Sequence, residues 1–178
     1  MTHTKFEPKI IKNVCSKTYL DMFMHFIPSE ELWEDTEQIA EEDYDKINLT
    51  KLNLIEHGHF KNPMLAGVAI GLMSQIYDAG GKDYFLPEIH FCGISIKDKS
   101  TKVNLHTDNW DENKLKILGL LNSDWNHIQD GGGFIHNNMS YALQPMNFLI
   151  FDSRQTHSND IIFSDKKRYA IDFTVTKI

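Results

Sequence analysis

The pattern of apolar and polar positions changes character near residue 88. Before it, apolar residues recur mostly at helical spacing; after it, they come in short alternating runs. Pro8 to Val14 reads as a short strand, and Ser16 to Ile27 as a helix with an apolar face of Tyr19, Leu20, Phe23 and Phe26. A second, acidic helix is expected from Ser29 through about Glu42. Ser29 would cap it, and Glu30 and Glu31 would meet the positive end of its dipole. Ile47 to Ile55 alternates loosely, as a strand does. Asn62-Pro63 opens a third helix running to Tyr77, with asparagine as cap and proline where its missing N–H costs nothing. Ala79-Gly80-Gly81 stops it.

From Glu88 onward the strand-like runs are Ile89–Ile96, Val103–His106, Lys114–Leu121, Gly133–Ile135, Tyr141–Leu143, Phe148–Phe151, Asp160–Phe163 and Arg168–Thr176. Turn residues such as Lys97-Asp98-Lys99-Ser100 and Asp130-Gly131-Gly132-Gly133 separate them. Short strands without helical patterns between them predict a sandwich, barrel or jelly roll. With no linker and no internal repeat, the expectation is one α+β domain over residues 1–178 with a mainly β core. Residues 1–87 would form a helix-rich support and residues 88–178 the β part that carries any site.

Composition narrows the classes. An apolar content of 41% and a charged content of 24% are those of a globular protein. The longest apolar stretch, Leu65 to Ile76, is broken by Ser74 and Gln75 and is too short for a bilayer. Charges near the first residues stand where a secretory signal would need an apolar run, so an intracellular, cytoplasmic protein without a membrane partner is expected. The net charge of −7 argues against nucleic acid, whose binders need a basic field. Cys15 and Cys92 lack both a disulfide framework and metal spacing, and read as small buried hydrophobes. Of 18 basic residues only Arg154 and Arg168 are arginine, which marks two places where a rigid bidentate donor is called for.

His106-Thr107-Asp108 is the first candidate for chemistry. Residues two apart on a strand share a face, so this imidazole and this carboxylate could bind one ion. Alone the pattern means little: nine histidines and 25 acidic residues in 178 positions give about 1.3 such matches by accident. Order and spacing add the weight. His157 follows 51 residues later, just after the Phe148–Phe151 run, and Arg168 another 11 residues on. Two histidines and a carboxylate form the facial set of non-haem iron(II) oxygenases and leave positions open. A strand, loop and returning strand would put Arg168 where it can take the far end of a dicarboxylate chelating that metal.

The run from Asn104 to Val175 resembles the prolyl-hydroxylase branch of the iron(II)- and 2-oxoglutarate-dependent oxygenases, and in particular the prolyl hydroxylase domain enzymes of oxygen sensing. The resemblance is carried by His106-Thr107-Asp108-Asn109, Leu121-Asn122-Ser123-Asp124-Trp125, Gly131-Gly132-Gly133-Phe134, Asn147-Phe148-Leu149-Ile150-Phe151-Asp152-Ser153, His157 and Arg168-Tyr169-Ala170-Ile171. It implies a double-stranded β-helix, or jelly roll, of cupin type. His106, Asp108 and His157 would be the catalytic iron ligands, and Arg168 would bind the distal carboxylate of 2-oxoglutarate. Dioxygen is the further reactant, ascorbate an accessory reductant, and succinate and carbon dioxide the co-products. The glycine run would let strands approach closely. The implied substrate is a peptidyl or free amino-acid side chain, with proline first. The alternatives are oxidative demethylation of a nucleobase, and a jelly-roll binding protein without catalysis. The first would want a second arginine after Arg168, and nothing basic follows until Lys177.

One departure stands out. The family usually adds a tyrosine hydroxyl to the co-substrate carboxylate, and Ile94-Ser95-Ile96 and Gly119-Leu120 hold none. Ser95, Tyr141, Thr174 or a water would have to serve. Asn104, Trp110, Arg154 and Asp172 are candidate substrate contacts. Asp172 could equally pair with Arg168 or face solvent at the barrel mouth, Arg154 could be a surface residue, and Trp110 could simply pack. His57-Gly58-His59 reads as a surface turn, and Asp124-Trp125 as a structural turn with a packed indole.

Overall fold

The computed structural model describes residues 6–29, 33–38, 47–101, 103–108 and 111–178. Eleven strands and three helices follow in the order β1 (Lys9–Ile11), α1 (Lys17–Phe26), β2 (Glu34–Gln38), β3 (Ile47–Glu56), β4 (His59–Phe60), α2 (Pro63–Asp78), β5 (Phe85–Lys97) and β6 (Lys114–Leu120). The remainder are α3 (His127–Asp130), β7 (Phe134–His136), β8 (Met139–Tyr141), β9 (Phe148–Phe151), β10 (His157–Asn159) and β11 (Arg168–Lys177). An antiparallel major sheet has the order β1-β9-β6-β11-β5-β3-β2, with β4 paired to β3. A minor sheet, β10-β7-β8, lies against it, and the two do not close into a barrel. The expected jelly roll is present in this open form.

Alternation divides the long central strands between two environments. Cys92, Ile94 and Ile96 of β5, Leu115 and Ile117 of β6, and Ile171, Phe173 and Val175 of β11 are buried in one apolar cluster with the helices. Leu20 and Phe23 of α1 and Leu65, Ala69, Leu72 and Ile76 of α2, spaced three and four apart, cover that face and are fully buried. The helices meet closely because Gly71 has no side chain: a Cβ there would lie 2.9 Å from the Tyr19 hydroxyl, which donates to the Val68 carbonyl at 2.7 Å. Both helix starts are capped by side chains, the second as its Asn62-Pro63 pair predicted. Ser16 accepts from the Tyr19 N–H, and Asn62 from the Leu65 N–H with Pro63 in the first turn. The opposite face of the major sheet looks across to the minor sheet.

The acidic segment does not form the helix expected from Ser29 to Glu42. Glu34–Gln38 is a strand, registered from Glu34↔Lys51 to Gln38↔Ile47 along β3. The edge of β3 presents unpaired backbone groups, and pairing with them outweighs the modest helical preference of a glutamate-rich run. Trp33 pins its start: its buried ring meets Tyr169 edge-on at 6.0 Å, and its indole N–H donates to the Pro28 carbonyl at 3.2 Å. Residues 30–32 and 39–42 of that expected helix lie outside the described residues. The first half is therefore less a helical support than a pair of helices plus strands that widen the sheet. Two further runs are not strands. Val103–His106 and Asp160–Phe163 each contribute one isolated bridge, His106↔His157 and Gly131↔Ile162, because each crosses between the sheets instead of running along one.

Phe173 is fully buried at the centre of the widest sheet. Phe173→Ala should lower unfolding free energy by about 3–5 kcal/mol, read from urea denaturation. A loss below about 1 kcal/mol would mean that the cluster under the sheet collapses around the gap or is not packed as described.

Candidate metal centre and anion pocket

His106 lies between β5 and β6, and His157 opens β10. Each backbone N–H donates to the other residue's carbonyl at 2.9 Å. In such an antiparallel pair the side chains leave on the same face, and the rings come to 4.5 Å between centroids. The Asp108 N–H donates to the Ser153 carbonyl at 3.0 Å, which sets its carboxylate across both rings. Its Oδ1 is 3.2 Å from His106 Nε2 and its Oδ2 3.3 Å from His157 Nε2.

The far nitrogens fix the tautomers. Nδ1 of His106 lies 2.8 Å from the Asn104 carbonyl oxygen, and Nδ1 of His157 lies 2.9 Å from that of Gln155. A carbonyl only accepts, so each Nδ1 carries a proton, and in the neutral ring each Nε2 then turns a lone pair toward Asp108. Lone pairs and carboxylate oxygens so close together repel unless a cation lies among them. Metal bonds of about 2.0–2.2 Å at right angles would separate the donor atoms by roughly 3 Å, as the two measured distances do. Two neutral imidazoles and one carboxylate on one side of the ion suit iron(II) and leave positions open. On the chemistry of the donor set, the residues present fit that metal.

The loop before His157 is braced by Arg154. Its Nε and Nη2 fork onto the buried Asp152 carboxylate at 3.0 and 2.7 Å, and its backbone N–H adds a bond of 3.1 Å. Burial disfavours ionised Asp152, but the bonds from Arg154 outweigh it and hold the carboxyl below its usual range. Arg154 is thus engaged by Asp152 within the loop that supplies Gln155 and then His157, with Glu112 3.8 Å from its Nη1, and it does not line the cavity between the sheets. Asn104 contributes its backbone carbonyl to His106, and its side chain does not line the cavity. Trp110 lies outside the described residues.

A cavity of about 280 Å³ separates the two sheets next to the triad. The major sheet supplies Lys51, Phe91, Ser95, Lys97, Lys116, Leu118, Asp172 and Thr174, nearly all on one alternation of β5, β6 and β11. Phe151 of β9, paired with Lys116, extends that wall, and Phe134, Ser158 and Asn159 of the minor sheet face it. Ser95 and Thr174 therefore do reach the cavity; Tyr141 lines a separate small groove beside Leu143. Asp172 faces the cavity as its alternation predicted, but its partner is not Arg168. Lys116 Nζ bridges Asp172 Oδ2 at 2.8 Å and Asp108 Oδ2 at 3.2 Å. Burial disfavours the charged forms of Asp108 and Lys116. The mutual attraction is stronger, so Asp108 is held well below the usual carboxylate range and Lys116 above the usual lysine range.

Arg168 is fully buried. Its Nη1 donates to the Gly132 carbonyl, while Nε and Nη2 have no hydrogen-bond partner among the described residues. Burial pulls it down to about 10, which still leaves it charged at neutral pH. Gly132, at φ +71°, makes room: a Cβ there would stand 3.1 Å from Nη1 and 3.3 Å from Cδ. The glycine run therefore wraps backbone around a guanidinium. A buried cation with unmet donors costs several kcal/mol unless an anion answers it. Arg168 is not itself a cavity-lining side chain; its cross-strand partner Lys97 is. The sequence reading missed Lys51, Lys97 and Lys116. The period-2 alternation through Ser95 pointed to Lys97, but 16 lysines in the chain hid the signal, and Lys116 is brought to that face only by the register of β6 with β11. Other readings hold: the His57-Gly58-His59 turn joins β3 to β4 with φ of +48° and +78° at its first two residues, and Trp125 is buried with its indole N–H on the Gly131 carbonyl at 3.1 Å. Both cysteines are buried.

No protein-family model matches the chain, and no curated protein matches it by sequence. Solved structures do. A prolyl hydroxylase from Trichoplax adhaerens, in complex with a hypoxia inducible factor oxygen degradation domain peptide fragment, superposes with a TM-score of 0.65. It is 16% identical, over 96% of this chain and 83% of that one. The non-heme alpha ketoglutarate dependent carbocyclase SnoK from nogalamycin biosynthesis gives 0.66 and 14%, over 95% and 79%. HygX from Streptomyces hygroscopicus, with nickel and 2-oxoglutarate bound, gives 0.64 and 10%, over 95% and 82%. The chain has the fold that these proteins share. No helix among the described residues is long and apolar enough to cross a membrane.

Asp108→Ala should weaken iron(II) or cobalt(II) binding by more than about 100-fold in an anaerobic titration, and an unchanged metal content would contradict the site. Gly132→Ala should cost about 1–3 kcal/mol in thermal or denaturant unfolding, since alanine at that φ is strained and its methyl crowds Arg168. A neutral result would mean that the turn relaxes freely.

Proposed function

We propose that this protein is an iron(II)- and 2-oxoglutarate-dependent oxygenase that hydroxylates an unactivated C–H bond. One observation carries the reading: a His-Asp-His set with both Nε2 atoms bare lines the inter-sheet cavity, and a fully buried guanidinium with two unanswered donors lies behind it, opposite the cavity-lining Lys97. A metal alone would explain the first feature, and a structural ion pair the second. A ligand that is a chelator at one end and a carboxylate at the other answers both, and 2-oxoglutarate is such a ligand. The nickel and 2-oxoglutarate in HygX support it.

His106, Asp108 and His157 would hold iron(II), and Arg168 the distal carboxylate. Iron so bound supplies oxidative decarboxylation of 2-oxoglutarate by dioxygen, giving succinate and carbon dioxide, coupled to hydroxylation of the substrate. The chain's own part is orientation and exclusion. The Asn104 and Gln155 carbonyls hold the imidazole tautomers, and Lys116 keeps Asp108 ionised. Phe134 and Phe151, packed near His157, form a wall that restricts water. For the substrate, a peptidyl or free amino-acid side chain is the reading, with proline first. The peptide-bound Trichoplax prolyl hydroxylase supports it.

The anaerobic protein, given iron(II) and 2-oxoglutarate and then oxygen, should form succinate, and His157→Ala should abolish it. Arg168→Lys should raise the 2-oxoglutarate concentration required by at least about tenfold and leave iron affinity intact, because an ammonium cannot make the fork contact. Succinate formation independent of iron would overturn the assignment. Proline-containing peptides and free proline should then be screened for a gain of one oxygen by mass spectrometry; formaldehyde from a methylated base would favour demethylation instead.

A further inference from the structure

Arg168 sits opposite Lys97 in the β11–β5 register, and Ala170 opposite Ser95. Directly opposed residues hold their Cβ atoms about 4.5–5.5 Å apart on one face, so two cations stand side by side. Lys97 lines the cavity, and no carboxylate lies within ion-pairing distance of it among the described residues. The carboxylates that do line the cavity are engaged elsewhere: Asp172 with Lys116, and Asp108 with Lys116 and the two imidazoles. Lys51, opposite Ser95 on the next strand, extends the positive side. Burial and the neighbouring guanidinium both act against the charged form of Lys97. Adjacent unpaired cations, one lining the cavity and one buried behind it, weaken the fold unless an anion joins them.

The hydroxyls weighed from the sequence fit the place less well. Thr174 is six residues along β11 from Arg168, about 20 Å at the rise of a strand. Tyr141 does not line this cavity. Ser95 lines it, but stands one pair removed from Arg168 on a short side chain.

We infer that Lys97 shares the distal carboxylate of 2-oxoglutarate with Arg168, so that this end of the co-substrate is held by two cations. This rests on the oxygenase reading above. Arg168 supplies the directional donors from beneath, and Lys97 supplies a mobile charge on the cavity side. The arrangement selects a 2-oxoacid with a second carboxylate over one without.

The test uses the full chain loaded with nickel(II), which binds without turnover. Calorimetry measures 2-oxoglutarate and, separately, pyruvate, which has the chelating end but no distal carboxylate. Lys97→Met should weaken 2-oxoglutarate at least tenfold and leave pyruvate and nickel affinity within twofold. Lys97→Arg should recover most of the loss, and the melting temperature of metal-free Lys97→Met should not fall, since a repulsion has been removed. If Lys97→Met does not fold, Lys97→Gln serves in the same comparison. Unchanged 2-oxoglutarate binding in the variant would overturn the role of Lys97 and leave the oxygenase reading standing. Equal loss for 2-oxoglutarate and pyruvate would make Lys97 a structural residue only. Failure of the unaltered protein to bind 2-oxoglutarate in a nickel-dependent way would remove both readings together.

Discussion

The reciprocal backbone pair between His106 and His157 is the constraint on which the site depends. The residues are 51 positions apart, and neither belongs to the major sheet. Two hydrogen bonds of 2.9 Å nonetheless fix their relative height, direction and face. Once they are set, the rest follows from short-range geometry. Asp108 is two residues from His106 and is held by the Ser153 carbonyl, and Gln155 is two residues from His157 and orients its ring. The Asp152–Arg154 fork stiffens the same loop, so a salt bridge with no reach to the candidate metal site still governs where the His157 ring points. A site built in this way needs few dedicated residues, because the backbone performs most of the positioning.

The second physical theme is charge kept between two apolar walls. The cavity holds Lys51, Lys97 and Lys116 against Asp108 and Asp172, with Arg168 buried nearby. These charges are not evenly matched in space. Lys116 is satisfied by two carboxylates at once, while Lys97 and Arg168 have none among the described residues. Buried charges that are paired and hydrogen-bonded do little net harm, whereas unpaired ones are costly. The division therefore separates a finished half of the cavity, around Asp108, from a half that only a ligand anion completes. Stability given up at such a place is a common mark of a binding site.

Much of this was legible in the sequence, and the parts that were not share a cause. The cap at Asn62, the central strands and the His106, Asp108 and His157 grouping depend on local patterns or on a resemblance that runs from Asn104 to Val175. The strand at Glu34–Gln38 was not legible, because its residues favour a helix and the decisive partner, the edge of β3, is a tertiary feature. Val103–His106 and Asp160–Phe163 have strand composition but cross between sheets, which alternation cannot reveal. Arg168 was singled out by its rarity. Lys97 was not, since a lysine on a strand in a lysine-rich chain carries no information until its register partner is known.

Register also explains how one strand can serve two purposes without conflict. On β11, Ile171, Phe173 and Val175 point into the cluster under α1 and α2, while Arg168, Ala170, Asp172 and Thr174 look between the sheets. The first set can be optimised for packing, because nothing polar need pass through it. The second can hold unpaired charge, because the apolar face behind it supplies the stability that the charge removes. A slip of one residue between β5 and β11 would exchange the two sets and destroy core and cavity together. Fold and chemistry are therefore joined at the backbone pairing of the central strands, and changes to side chains on one face should be nearly independent of those on the other.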